Sequence, residues 1–178
     1  MDGGAIRVYI PATLAMLQEL VTDGSLWPVN GTAFAVTPTL REAYAEGDDD
    51  ELADVALREA ALASLRLLAA REAEGADRAV RPRRAVLSAE VDWGESGVKF
   101  RPDLDDAVVR LGAPVAIDQV IAAYVDNADA EEAVTKAIEA IDAADLGDED
   151  ADLIVGDAQD HDLAWYANQE LPFLLDLL

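Results

Sequence analysis

The chain has 178 residues, with 37 acidic against 13 basic side chains, a formal net charge of −24, 52% hydrophobic residues and no cysteine. That length suits a single domain spanning residues 1–178 with its own core. The absence of thiols excludes disulfides, thiolate metal sites and cysteine nucleophiles, and the charge sets the chain against nucleic-acid phosphates and anionic lipid and toward basic protein surfaces.

Nothing in the sequence suggests a membrane span, because no apolar run approaches the roughly 20 residues that one requires. The opening MDGGAIRVYIPA lacks a basic segment followed by a long apolar one, so a cytoplasmic protein is expected. In chain order, Ala5 to Ile10 alternates Ile6, Val8 and Ile10 against Arg7 and Tyr9, which predicts a strand with one apolar face. Leu14, Leu17 and Val21 recur at helical spacing, which predicts a helix over 14–22 stopped by Asp23-Gly24. Trp27-Pro28 and Asn30-Gly31 are turn chemistry, and Ala33 to Val36 is a second strand. Thr39 and Glu42 have the spacing of a capping box, opening a short helix to Ala45.

A long helix is predicted over 51–73, apolar on several faces through Leu52, Val55, Leu62, Leu65 and Ala69, with the acids before it at its positive dipole end. The loop over 74–82 leads into the chain's basic cluster, Arg78, Arg81, Arg83 and Arg84. Ala85 to Val91 reads as a half-buried strand followed by a turn at Trp93, Gly94 and Gly97. Residues 98–100, 107–111 and 120–125 are further strand candidates, and a helix is predicted over 129–143. Strand–helix–strand units of this kind suggest an α/β or α+β domain, with a mixed, partly parallel sheet, helices packed on it and a helical C-terminus.

Two places could hold a site. Strands one and two each run into a proline–threonine turn, Pro11-Ala12-Thr13 and Pro38-Thr39, and in a parallel sheet these would meet at the carboxyl edge where open α/β sheets bind ligands. Helix capping by the same threonines explains them equally well. The tail from Asp157 to Leu178 holds the chain's one histidine. On a helical reading, Leu163, Tyr166, Ala167 and Leu171 form a buried stripe while Asp157, His161, Trp165 and Asn168 stack on a neighbouring face. Phe173, Leu174, Leu175, Leu177 and Leu178 would then anchor the terminus. A lone histidine beside aspartates is more often structural than catalytic, because catalysis needs converging partners.

No metal or cofactor is assigned. Asp148, Asp150 and Asp152 match the first ligands of a calcium loop, but Leu153 stands where the turn glycine belongs and Gln159 where the glutamate belongs. One histidine without cysteine makes a zinc site poorer still. No serine sits in a glycine-flanked elbow, and no glycine-rich phosphate loop is present.

The stretches RVYIPATLAMLQEL, GTAFAVTPTLREAYAEGD and DLGDEDADLIVGDAQDHDLAWYANQELPFLL resemble an uncharacterised family of actinobacterial proteins, which implies a taxonomic setting and no catalytic residues. The 35 alanines and 11 arginines against 2 lysines agree with a high-GC coding bias. Charge supplies the functional expectation, since residues 137–178 hold 12 acids and no Lys or Arg. The charge leads to the expectation of an interaction protein whose acidic end meets a basic partner protein, or its own arginine cluster in a homodimer. The alternative is a small enzyme or ligand-binding protein using Thr13 and Thr39 or an Asp157/His161 acid–base pair.

Overall fold

The computed structural model of the chain describes residues 4–73, 81–92, 94 and 97–178. Arg78 of the arginine cluster, Trp93 of the predicted turn and most of the predicted 74–82 loop lie outside them. In order, the elements are β1 (Ala5–Ala12), α1 (Leu14–Asp23), β2 (Ser25–Leu26), β3 (Thr32–Phe34), α2 (Pro38–Ala43) and α3 (Asp49–Ala73). Then come β4 (Ala85–Asp92), β5 (Lys99–Phe100), β6 (Val108–Arg110), β7 (Val115–Ala116), β8 (Val120–Val125), α4 (Glu131–Asp145), α5 (Glu149–Gln159), β9 (Ala164–Ala167) and α6 (Leu171–Leu177).

The main sheet has the order β5-β6-β3-β1-β4-β8-β9, and β2 pairs with β7 apart from it. Each neighbouring pair is antiparallel, which overturns the expectation of a partly parallel sheet. The connections explain the error. Strands β3 and β4 do run in the same direction and are joined by a helical crossover, but β1 lies between them and runs the opposite way. Between β1 and β3 the chain reverses at Asn30 and Gly31, whose φ values of 58° and 70° are left-handed. Glycine is required at the second of these, since a Cβ there would meet the Leu111 carbonyl oxygen at 2.7 Å.

The alternation read in β1 sorts side chains between two cores. Val8, Ile10 and Ala12 join Leu14, Leu17 and Leu20 of α1 and Leu171 and Leu174 of α6 on one face. On the other face, Tyr9, Phe34 and Val86 pack against Leu52, Ala56 and Ala60 in the first half of α3. The second half of α3, through Leu65 and Leu68, packs against Val134, Ala137 and Ile141 of α4 and Val155 and Ala158 of α5. The long helix is therefore apolar around its girth because it serves two partners in succession along its length. Where the change occurs, the buried Ser64 hydroxyl donates to the Ala12 carbonyl at 2.7 Å and accepts from Ala85 N–H at 3.0 Å, joining α3 to β1 and β4.

Residues 157–171 do not form the single helix expected from their spacing. Helix α5 stops at Gln159, β9 follows as an edge strand, and Pro172 sits in the first turn of α6, where its fixed φ suits a helix start. Leu171 and Leu174 are buried at 0% and 4% exposure, while Phe173 and Leu177 are exposed, so only part of the apolar end anchors it. Removing two buried leucines costs about 3–6 kcal/mol at about 1.5–3 kcal/mol each, against a typical total of about 5–15 kcal/mol. A chain ending at Asp162, which lacks both β9 and α6, is expected to lose its cooperative melting transition by circular dichroism.

Candidate functional site

The residues bounding β4 and β8 create the most constrained polar node among the described residues. Arg84 precedes β4, Asp126 follows β8, and the antiparallel register brings Ala85 opposite Val125, so the two charged side chains emerge at one end of the sheet. Both side chains are almost wholly buried, at 1% and 0% exposure. The guanidinium is bidentate on the carboxylate, Nε to Oδ2 at 2.9 Å and Nη2 to Oδ1 at 2.8 Å, and Arg84 N–H also donates to Oδ2. Nη1 reaches Gln159 Oε1 at 2.8 Å and Nη2 reaches the His161 carbonyl at 2.9 Å. Four guanidinium N–H donors are thereby satisfied, as a buried charge requires.

Gln159 in turn donates to the Arg58 carbonyl on α3, and Arg58 Nη1 donates to the Gln159 carbonyl. Arg83 bonds Glu131 at 2.7 Å in the first turn of α4, and Arg81 stands 3.7 Å from the same carboxylate. The described arginines of the basic cluster are therefore engaged within the molecule, holding the ends of β4 and β8 to the α4–α5 pair.

Beside the node lies an open cleft of about 540 Å³ between α4 and α5, lined by Asp129, Glu132, Ala133, Lys136, Ile154, Asp157 and His161. Asp157 and His161 thus meet at one cleft. His161 also borders a smaller hollow with Arg58, Arg84 and Asp162. The helical stack that was expected to add Trp165 and Asn168 does not form. Trp165 projects from β9 and is 57% exposed, opposite Tyr124 of β8. Asn168 lies beyond β9, where its Nδ2 donates to the Ile117 and Val120 carbonyls at 2.7 Å each and fixes the start of β8.

The threonine pair also separates. Tyr9 faces Phe34 in antiparallel register, which puts Thr13 after β1 and Thr39 after β3 at opposite ends of the sheet. Thr13 caps α1 by accepting from Met16 N–H at 3.2 Å. In α2 the cap is Thr37, which accepts from Leu40 N–H and donates to the Asp106 carbonyl, while Thr39 lies inside the helix. Asp148, first in the calcium-like run, caps α5 by accepting from Ala151 N–H at 3.0 Å.

Residues 6–175 match the model of a family of unknown function, DUF6912. The chain belongs to that family. No curated protein and no solved structure is significantly similar to it. The DUF6912 match agrees with the resemblance to an uncharacterised family and covers the described strands but for Ala5, the first residue of β1.

Deleting one partner of a buried, hydrogen-bonded ion pair leaves an uncompensated charge, at a cost of about 3–5 kcal/mol. Arg84→Met and Asp126→Leu are each expected to destabilise the fold by that much. The double variant should cost less than the sum, measured by urea denaturation in a double-mutant cycle.

On α3, Glu59 has its carboxyl pushed above the usual range by partial burial and then by the charge of Asp105. Its folded pKa exceeds its unfolded one, so its contribution to stability is greatest below the unfolded value and is lost as pH rises through the interval up to the folded value. Glu59→Gln should therefore raise Tm at neutral pH and flatten that part of the Tm-against-pH curve. Asp145 has the opposite sign. Hydrogen bonds from Arg66 hold its carboxyl low, so its contribution is present above the unfolded value and lost as pH falls through the folded one.

Proposed function

We propose that this DUF6912 chain is an acidic interaction protein that binds a basic partner protein through its C-terminal quarter. The observation that carries the reading is an asymmetry of pairing. Of the 12 acids in residues 137–178, Asp145 alone has an ion pair with a described cation. The described arginines of the basic cluster, by contrast, are spent on Asp126 and Glu131. A homodimer joined through that cluster would have to break these contacts, so a separate basic protein is the better occupant. Like charge argues against nucleic acid and anionic lipid.

The cleft favours a second reading, a small-molecule site. Asp129, Glu132 and Asp157 line the cleft with the apolar Ala133 and Ile154, a combination suited to a cationic ligand with an apolar portion, and the bordering His161 would serve in proton transfer. The cytoplasm of an actinobacterium is the setting proposed for either reading, on composition and resemblance.

The test is capture of partners from native lysate by the full chain at low salt, repeated in about 1 M salt, where screening contracts to roughly 3 Å. Expected is a set of basic proteins released by salt, and at least roughly tenfold less capture by Asp150→Lys/Asp152→Lys/Asp157→Lys, because exposed charges govern encounter. A partner retained unchanged in high salt, or unaffected by the triple substitution, would overturn the proposal.

A further inference from the structure

We infer that β9 is a docking edge, and that an extended Lys- or Arg-rich segment of a partner protein adds to it as a further strand of the sheet. This rests on the basic-partner reading above and specifies where and in what conformation that partner binds.

The two edges of the sheet differ. At one end, β5 is two residues long, begins with Lys99 and runs into Arg101, and short, cationic edges discourage pairing. At the other end, β9 is Ala-Trp-Tyr-Ala, with no charge, proline or bulge to protect it. Its backbone also has an open side. Ala167 N–H donates to Glu170 Oε1 at 3.2 Å rather than to β8. Hydrogen-bonded and non-bonded pairs alternate along an antiparallel ladder, and Ala167 and Trp165 face Ala122 and Tyr124 two positions apart. Trp165 N–H and C=O therefore point away from β8, and no other described residue bonds them.

Charge identifies the occupant. Asp160 and Asp162 precede this strand, Glu170 follows it, and no Lys or Arg occurs from residue 137 to the end. Arg58, the exposed cation that shares a hollow with Asp162, is turned onto the Gln159 carbonyl. A second copy of the chain would bring another −24 to the same edge. A basic strand meets opposite charge at both ends of β9, and the exposed Trp165 indole offers a cation a ring face. The open edge presents only a few backbone groups, so charge would supply the encounter and backbone pairing the register.

The test titrates the 15N-labelled full chain at low salt with two capped octapeptides of equal charge, one alternating Lys and Val, the other Lys and Pro. The Lys–Val peptide is expected to shift the Trp165 and Ala167 amides and to slow hydrogen exchange at Trp165. The Lys–Pro peptide, unable to donate from alternate positions, should bind roughly two- to tenfold more weakly for each bond lost. Trp165→Pro removes the outward donor while leaving the ladder to β8 intact, and should weaken the Lys–Val peptide by a similar factor. Trp165→Lys, which guards the edge by charge, gives a second variant should the proline destabilise the fold. Equal binding of both peptides with shifts away from β9 would overturn edge docking while sparing the basic-partner reading. No binding of either at millimolar concentration would overturn both.

Discussion

The buried contact between Arg84 and Asp126 is the constraint on which the arrangement of the C-terminal half depends. A buried ion pair contributes little net stability, because desolvation of both charges offsets their attraction. Its effect is to reject alternatives, since any shift of β4 against β8 would leave a charge unsatisfied in the interior. Because the remaining guanidinium donors reach Gln159 and the His161 carbonyl, the same node fixes where α5 ends and how the chain enters β9. Ser64 performs the analogous task for a neutral pair of backbone groups between β1 and β4.

With that node in place, the acidic helices pack on each other and on α3 in a core that contains no strand residue among those described. Helices α4 and α5 pack against each other and against the far half of α3 through small and branched residues such as Ala137, Ile141, Val155 and Ala158. Their acids face outward or sit at helix starts, with Glu131 and Glu132 opening α4 and Glu149, Asp150 and Asp152 opening α5. There the helix dipole stabilises negative charge, which moderates the repulsion such a density creates.

The local elements were legible in the sequence where one principle dominated. The alternation of Ile6, Val8 and Ile10 identified β1, and helical spacing with an aspartate–glycine stop identified α1. Adjacency was not legible, because a crossover helix between β3 and β4 says nothing about whether a third strand occupies the gap, and β1 does. The capping threonine was misplaced by two residues, because Thr39 and Glu42 matched a capping box while Pro38 in the first turn of α2 marked Thr37 as the cap. In the tail, Leu163, Tyr166, Ala167 and Leu171 fit a helical period although Trp165 and Tyr166 favour a strand, and the short edge strand prevailed. Asp157 and His161 were found as neighbours. The node beside them was missed, because Arg84 was read only as part of the basic cluster and Asp126 falls between a predicted strand and a predicted helix. Charges flanking the strand ends, Arg83-Arg84 before one strand and Asp126 after another, were the available signal.

The structural use of His161 differs from the one its chemistry suggested. Its carbonyl, which any residue would supply, accepts from Arg84, while its imidazole faces the cleft without a hydrogen bond among the described residues. Position 161 is thereby fixed in space by the backbone and left free in side chain. The same separation recurs four residues later, where the flanking Ala164 and Tyr166 hold the strand to β8 and the Trp165 indole projects outward. Burial requirements therefore constrain the chain path at both positions and leave the side-chain identities unexplained. An imidazole on a cleft rim and a large aromatic on an open edge are each less suited to packing than to contact with something outside the chain. It is at such positions, where the fold supplies no reason for the residue, that function is to be sought.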